Sequence, residues 1–235
     1  MDGRNVIITG ATGGVGQTVT ARWLAEGARV LAVGHGEESL ARLREAVGPS
    51  DRLFTHEADA AFGPAAERMA AEAEARFGSP ADTLVHLVGG FDMGPVDAPG
   101  APEVWERMLS LNLHSAFHCY RAVLPGMKRL RRGWVVGLGS RVAAEPGAQL
   151  AAYAAAKAGL TALTQALAAE VKDDGVHVNL ILASTIDTPA NREAMGDKKA
   201  ATWATGDDIA DATLYLCSEK ARAVFGATLE VYARA

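Results

Sequence analysis

Short apolar, β-branched runs alternate with longer amphipathic stretches along the whole chain. NVIITG, RVLAVG, RLFTHEAD, DTLVHLVGG, GWVVGLGS, HVNLILAS and ATLEVYA have the length and residue preference of buried strands. Between them, apolar positions recur at helical spacing over about Gly14 to Glu26, Glu38 to Val47, Pro64 to Phe77, Glu103 to Leu130, Leu150 to Asp173 and Asp207 to Ser218. Strands that alternate with helices predict βαβ units. Right-handed crossovers then force a doubly wound, seven-stranded parallel sheet with helices on both faces, an α/β fold. Thr185 to Thr205 breaks the alternation and is expected to form a long loop or short helices placed as a lid.

Length and composition narrow the class. A chain of 235 residues suits a single domain, 1–235, with a substantial core. Apolar residues make up 49%, charged residues 22%, and the net charge is −5, so there is no basic footprint for nucleic acid. No run of about 18 apolar residues occurs and no leader pattern opens the chain, which predicts a cytoplasmic protein without membrane contact. Cys119 and Cys217 lie in helical stretches without ligand neighbours, as expected of buried, reduced thiols. His114 and His118 share a helical face but lack a third ligand, so packing is expected and no metal.

The candidate chemistry lies in three places. Tyr153 and Lys157, in YAAAK, are four apart and project from one helix face. A phenol ordinarily ionises near pH 10, and lowering that to about 7 takes about 4 kcal/mol. One ammonium roughly 4 Å away at an effective dielectric near 20 supplies about that much, so Lys157 is expected to acidify Tyr153. Ser140 ends a strand thirteen residues upstream. TGATGGVG, from Thr9 to Gly16, sits between a strand and a helix, the context of a phosphate-holding turn. There Gly10 is expected to permit the tight turn, Gly14 close approach to a pyrophosphate, and Gly16 close helix packing.

In their order these motifs resemble the short-chain dehydrogenase/reductase family. The resemblance covers nearly the whole chain, and it implies a Rossmann-type fold and a nicotinamide-dependent oxidoreductase. Its active-site groups fall on Ser140, Tyr153 and Lys157, with Asn112 in LSLNLHSAF helping to hold a proton-relay water. The dinucleotide would be held by Thr9, Gly10, Thr12, Gly14, Val15 and Gly16, by Gly34 and His35, by Asp59 and Ala60, by Gly89, by Tyr153 and Lys157, and by Ile186 and Thr188. Asp59 would bond the adenine amino group and Thr188 the nicotinamide amide. Residues 1–100 would mainly hold the dinucleotide, and 101–235 would carry the catalytic groups and the substrate loop.

Three departures from the family pattern bear on function. The usual Asn-Asn-Ala-Gly is His86-Leu87-Val88-Gly89, and the usual Pro-Gly is Ala183-Ser184. Gly34 stands where NAD-using members place an aspartate, and His35 where NADP-using members often have arginine. This favours NADP(H), with NAD(H) the alternative. Arg29 and Arg42 lie too far along their elements to be placed in the site. The expected activity is hydride transfer between nicotinamide and a small carbonyl or alcohol, with Tyr153 as acid/base. VGGF and STIDTPANREAM look like the dihydropteridine-reductase branch, which implies C=N reduction as an alternative. A non-catalytic dinucleotide sensor or scaffold is the alternative of another class. Gly90 to Pro95, Arg141 to Leu150 and Thr185 to Thr205 are expected to form a fairly apolar pocket. Arg141 is expected to face solvent or a neighbouring subunit, and His177 to be a strand residue. Resemblance also implies a homotetramer, or a dimer, through the 101–130 helices and the helix of Tyr153.

Overall fold

The computed structural model describes residues 1–235. Seven parallel strands run in the order β3 (Leu53–Glu57), β2 (Arg29–Gly34), β1 (Asn5–Thr9), β4 (Thr83–His86), β5 (Gly133–Ser140), β6 (Val176–Ala183) and β7 (Thr228–Val231). Strand order reverses between β1 and β4. In open α/β sheets that reversal opens a crevice at the carboxyl ends of the strands, where ligands bind.

Alternation along each strand divides the core into two layers. Val6 and Ile8 of β1 and Val30 and Ala32 of β2 point to one layer, with Val19 and Trp23 of α1 (Gly14–Ala25), Leu43 of α2 (Glu37–Val47) and Ile209 and Leu216 of α8 (Gly206–Leu216). Ile7, Leu31 and Val33 point to the other layer, with Met69 of α3 (Gly63–Phe77), Tyr120 of α5 (Ser115–Leu130) and Leu160 of α6 (Ala151–Val171). The two layers together account for strands that read as continuous apolar runs. Cys119 and Cys217 are free and buried, one in each layer.

The helical stretch before β5 is not continuous. α4 (Ala101–Leu109) passes through a single widened π turn, Ser110–His114, into α5. Asn112 sits in that turn. Such bulges cluster at functional sites because they re-aim side chains that a regular helix would fix elsewhere. The 185–205 segment contains α7 (Pro189–Met195) and a 3-10 turn, Asp197–Thr202, and Ile186 pairs with Ala204 across its base. That matches the short helices expected of a lid. His177 is a strand residue stacked between Trp134 and Phe225.

Candidate active site

The glycine loop is shaped by close approach. Gly10 adopts φ +72°, and an added Cβ there would lie 2.9 Å from the Leu87 carbonyl carbon. A Cβ on Gly16 would lie 2.1 Å from the Gly10 carbonyl oxygen, so only glycine lets α1 start so close to the loop. The amides at the start of α1 have no side-chain cap and no acidic residue in the first turn. They are left to bind an anion. Gly14, Val15, Gly16, Leu138, Thr188 and Pro189 are among the residues around a cleft of about 400 Å³ in front of them. Thr188 caps α7 by accepting from the Asn191 amide and comes within 3.4 Å of a Cβ placed on Gly14, so the lid closes directly over the loop. The Ile186 carbonyl accepts from Asn191 Nδ2 at 2.8 Å, which fixes the start of the lid. These cradles and free amides fit a dinucleotide pyrophosphate.

A second cleft, of about 390 Å³, opens at the ends of β2 and β3 between His35, His56, Glu57, Asp59 and Arg68. Gly34 is buried beside it. A Cβ at position 34 would lie 2.4 Å from Thr12 Cγ2, so the Thr12 side chain fills the space that a carboxylate-bearing residue would need. Asp59 Oδ1 accepts from the Ala61 amide at 2.9 Å, while Ala60 is buried in the core, its backbone alone available to a ligand. Arg68 and His56 were absent from the expected site. Their positions on α3 and β3 carry no motif, and only the folded cleft brings them beside His35.

Lys157, Asn112 and Gly89 converge at the other end of the crevice. A Cβ on Gly89 would lie 2.8 Å from Asn112 Oδ1 and 3.3 Å from Lys157 Nζ, which accounts for glycine there. Lys157 is 4% exposed and donates to the Leu138 carbonyl at 2.9 Å. Burial pulls its ammonium down to about 8. Asn112 is fully buried; its Nδ2 donates to the Gly90 and Met108 carbonyls, and its Oδ1 accepts from the Gly90 amide at 3.2 Å. It therefore clamps the strand-β4 loop as well as facing Lys157.

Lys157 Nζ is 5.8 Å from the centre of the Tyr153 ring, and Ser140, whose Oγ accepts from the Val142 amide at 3.3 Å, neighbours the phenol. The expected acidification of Tyr153 is not what this state shows. Burial comes first and raises the phenol above its ordinary value, and the neighbouring Ser140 hydroxyl offsets it only in part. Desolvation of the phenolate decides the direction.

His86, standing where the family has its first asparagine, replaces sheet-side bracing of its own kind. Its Nδ1 is 2.8 Å from Thr9 Oγ1 and its Nε2 3.2 Å from Ser115 Oγ. Burial first, and Lys157 second, hold the imidazole down at about 3, so it is neutral. The Thr9 hydroxyl is thus engaged by His86. Arg141, expected toward solvent or a neighbouring subunit, is partly exposed. Its guanidinium donates to the Ala235 carbonyl at 2.7 Å, lies 5.6 Å from the Tyr232 ring and pairs with Glu145 at 3.8 Å. Phe91, within the Gly90 to Pro95 stretch expected to form the pocket, meets the Tyr153 ring at 5.1 Å between centres.

A parallel sheet with an anion-binding loop at its switch point, and a buried lysine beside a phenol and a serine hydroxyl, define a dinucleotide-dependent oxidoreductase. The family model for short chain dehydrogenases matches residues 4–199. The chain belongs to the short-chain dehydrogenase/reductase family, as an NAD(P)-dependent enzyme. It is 31% identical to D-beta-hydroxybutyrate dehydrogenase of Cupriavidus necator, over 97% of this chain and 95% of that protein. It is 29% identical to the 3-oxoacyl-acyl-carrier-protein reductase FabG of Escherichia coli, over 98% and 96%. An oxidoreductase of the same family from Burkholderia thailandensis superposes with a TM-score of 0.86 at 33% identity, covering 98% of this chain and 91% of that one. Levodione reductase superposes with a TM-score of 0.89 at 26% identity, covering 98% and 96%.

Proposed function

We propose that this enzyme interconverts a small ketone and its secondary alcohol, with Tyr153 as acid/base and NADP(H) as the favoured cofactor. The observation that carries this reading is the convergence of Ser140, Tyr153, Lys157 and Asn112 on one end of the crevice whose other end holds the glycine loop. When bound, nicotinamide supplies a hydride to the carbonyl carbon in reduction and takes one up in oxidation. Ser140 donates a hydrogen bond to the carbonyl oxygen as negative charge builds there. Tyr153 gives that oxygen its proton, so hydride and proton together turn C=O into CH–OH. A phenol raised by burial rests protonated, the state a proton donor needs. Lys157 stabilises the phenolate left behind, and Asn112 Oδ1, facing Lys157 across Gly89, would hold the relay water.

Two relatives are named as a hydroxybutyrate dehydrogenase and a 3-oxoacyl reductase, and the hydroxyl and oxo groups in those names support the same chemistry here. NADP(H) is favoured because Thr12 excludes a carboxylate from position 34 and the adenine-end cleft carries Arg68 and His35. Residues 1–100 then mainly bind the dinucleotide and 101–235 the substrate. Free, buried cysteines suit a reducing compartment such as the cytoplasm. Exposed Trp105 and Phe117, with the exposed alanines 151, 155, 158 and 162 of α6, form the face through which copies would pair into a tetramer or a dimer. Oxidation of NADPH followed with ketones, quinones and dihydropterins tests the activity. Turnover of a ketone is expected, and dinucleotide binding without turnover of any of them would contradict it.

A further inference from the structure

A large aromatic side chain stands in water at the mouth of the site. Phe91 is 62% exposed, yet its ring packs against Tyr153 with centres 5.1 Å apart and planes at 78°. The two rings thus form a near-right-angled corner beside the phenol that carries the reactive proton. An exposed phenyl of this size leaves apolar surface unburied until something covers it.

The backbone around Phe91 is held on both sides. Upstream, Asn112 grips Gly90 through both its amide N–H and its carbonyl. A Cβ on Gly90 would lie 2.7 Å from Leu111 Cδ1, so this stretch is pressed against the π turn. Downstream, Asp92 pairs with Arg107 and accepts from the Met93 amide, and the Gly94 amide donates to the Gln149 carbonyl at 2.8 Å. Gln149 supplies that carbonyl from a left-handed backbone at φ 63°, immediately before α6 and Tyr153. The corner is therefore preorganised, which reduces the entropy lost when a ligand enters it.

Lys157 is the unpaired cation beside the corner, buried and bonded to the Leu138 carbonyl, whereas the arginines of the surrounding segments are paired. Arg107 is paired with Asp92, Arg141 with Glu145, and Arg192 of the lid with Asp187 and Asp197. Lys198 and Lys199 are exposed on the 3-10 turn 197–202. Met93 and Val96, further along the same loop, are also exposed and apolar.

Resting on the ketone/alcohol reading above, we propose that Phe91 is the specificity-determining wall of the substrate site, selecting uncharged ketones or alcohols whose reacting carbon bears a flat or cyclic apolar group. A rigid ring fills the Phe91–Tyr153 corner against both faces with little rotamer loss, whereas a linear chain touches one face and must be frozen to do so. A carboxylate in the same place finds no unpaired arginine and meets Asp92.

The test compares wild type with Phe91→Ala, Phe91→Leu and Phe91→Trp, each checked by thermal melting. kcat/KM is measured with NADPH for 2-tetralone, 4-phenyl-2-butanone, 2-decanone and acetoacetate. Wild type is expected to prefer the two aryl ketones over 2-decanone by about tenfold or more, an aromatic contact's worth. Phe91→Ala and Phe91→Leu should bring that ratio within about threefold of unity, and Phe91→Trp should restore it. A uniform loss for every substrate, or a ratio that Phe91→Ala leaves unchanged, overturns the proposal. Saturation-transfer NMR of 2-naphthol on the protein gives a readout independent of turnover. Transfer to the naphthyl ring in wild type that vanishes in Phe91→Ala supports the wall even if no ketone is reduced, an outcome that would overturn only the catalytic reading. No transfer in wild type overturns the wall itself.

Discussion

Lys157 donates its buried ammonium to the Leu138 carbonyl at 2.9 Å, bonded to backbone and paired with no carboxylate. A fall from 10.5 to about 8 corresponds to a destabilisation of about 3 kcal/mol at neutral pH. The unfolded chain keeps this proton up to its ordinary value and the fold releases it near 8. Stability therefore rises with pH between about 8 and 10.5, and the whole penalty is present below 8.

It follows that Lys157→Met should make the dinucleotide-free protein more stable while abolishing turnover. Losing the bond to Leu138 costs about 1 kcal/mol, so the net gain at pH 7 is about 2 kcal/mol, or roughly 4–8 °C in Tm. The gain should shrink as pH rises from 8 toward 10. Calorimetry at pH 7 and pH 10 checks this, and a variant less stable than wild type at pH 7 would show that the lysine is not strained by burial.

His86 sets an acid limit. Its imidazole ordinarily takes a proton at 6.5 but is held to about 3 in the fold, so only the unfolded chain charges as pH falls through that window. The resulting loss reaches about 5 kcal/mol by pH 3. His86→Asn removes the titration and also the edge-to-face contact with Tyr120, whose ring centre is 5.8 Å away. The variant is expected to be less stable at pH 7 by about 1–2 kcal/mol and more stable below about pH 5. Urea unfolding at pH 7, 5 and 4 measures both arms; parallel curves at every pH would contradict the buried neutral histidine.

Cofactor preference is expected to depend on Thr12 and position 34 together. Gly34→Asp alone places a Cβ 2.4 Å from Thr12 Cγ2 and should cost about 1–3 kcal/mol of stability with weak binding of both dinucleotides. Thr12→Ala combined with Gly34→Asp should relieve the overlap and shift kcat/KM from NADPH toward NADH by tenfold or more, through repulsion of the 2′-phosphate. Equal behaviour of the single and double variants would mean that Thr12 does not guard that space.

Much of the fold was legible in the sequence because its signals are local. Strand and helix periods predicted all seven strands and their parallel sheet, and glycines at 10 and 16 announced a turn that admits no side chain. The Thr185 to Thr205 stretch announced its irregularity by breaking the period. What stayed hidden depends on tertiary placement. Nothing in LSLNLHSAF signals that the helix widens at Asn112, and nothing in position 34 names Thr12 as the residue occupying its space. Phe91 and Tyr153 are 62 residues apart and meet only because β4 and α6 deliver them to one crevice. The acidity of Tyr153 was misjudged for the same reason: a pairwise attraction can be read from spacing, but burial of both partners cannot.

The central claim is that one phenol delivers the proton. Tyr153→Phe removes a single oxygen from a half-buried ring and leaves the glycine loop and its cleft untouched. Dinucleotide affinity measured by calorimetry should stay within about threefold of wild type, while kcat for a reduced ketone falls by about 10² to 10⁴. Turnover near the wild-type rate with the dinucleotide bound would contradict the account and return the proton donor to Ser140 or to water.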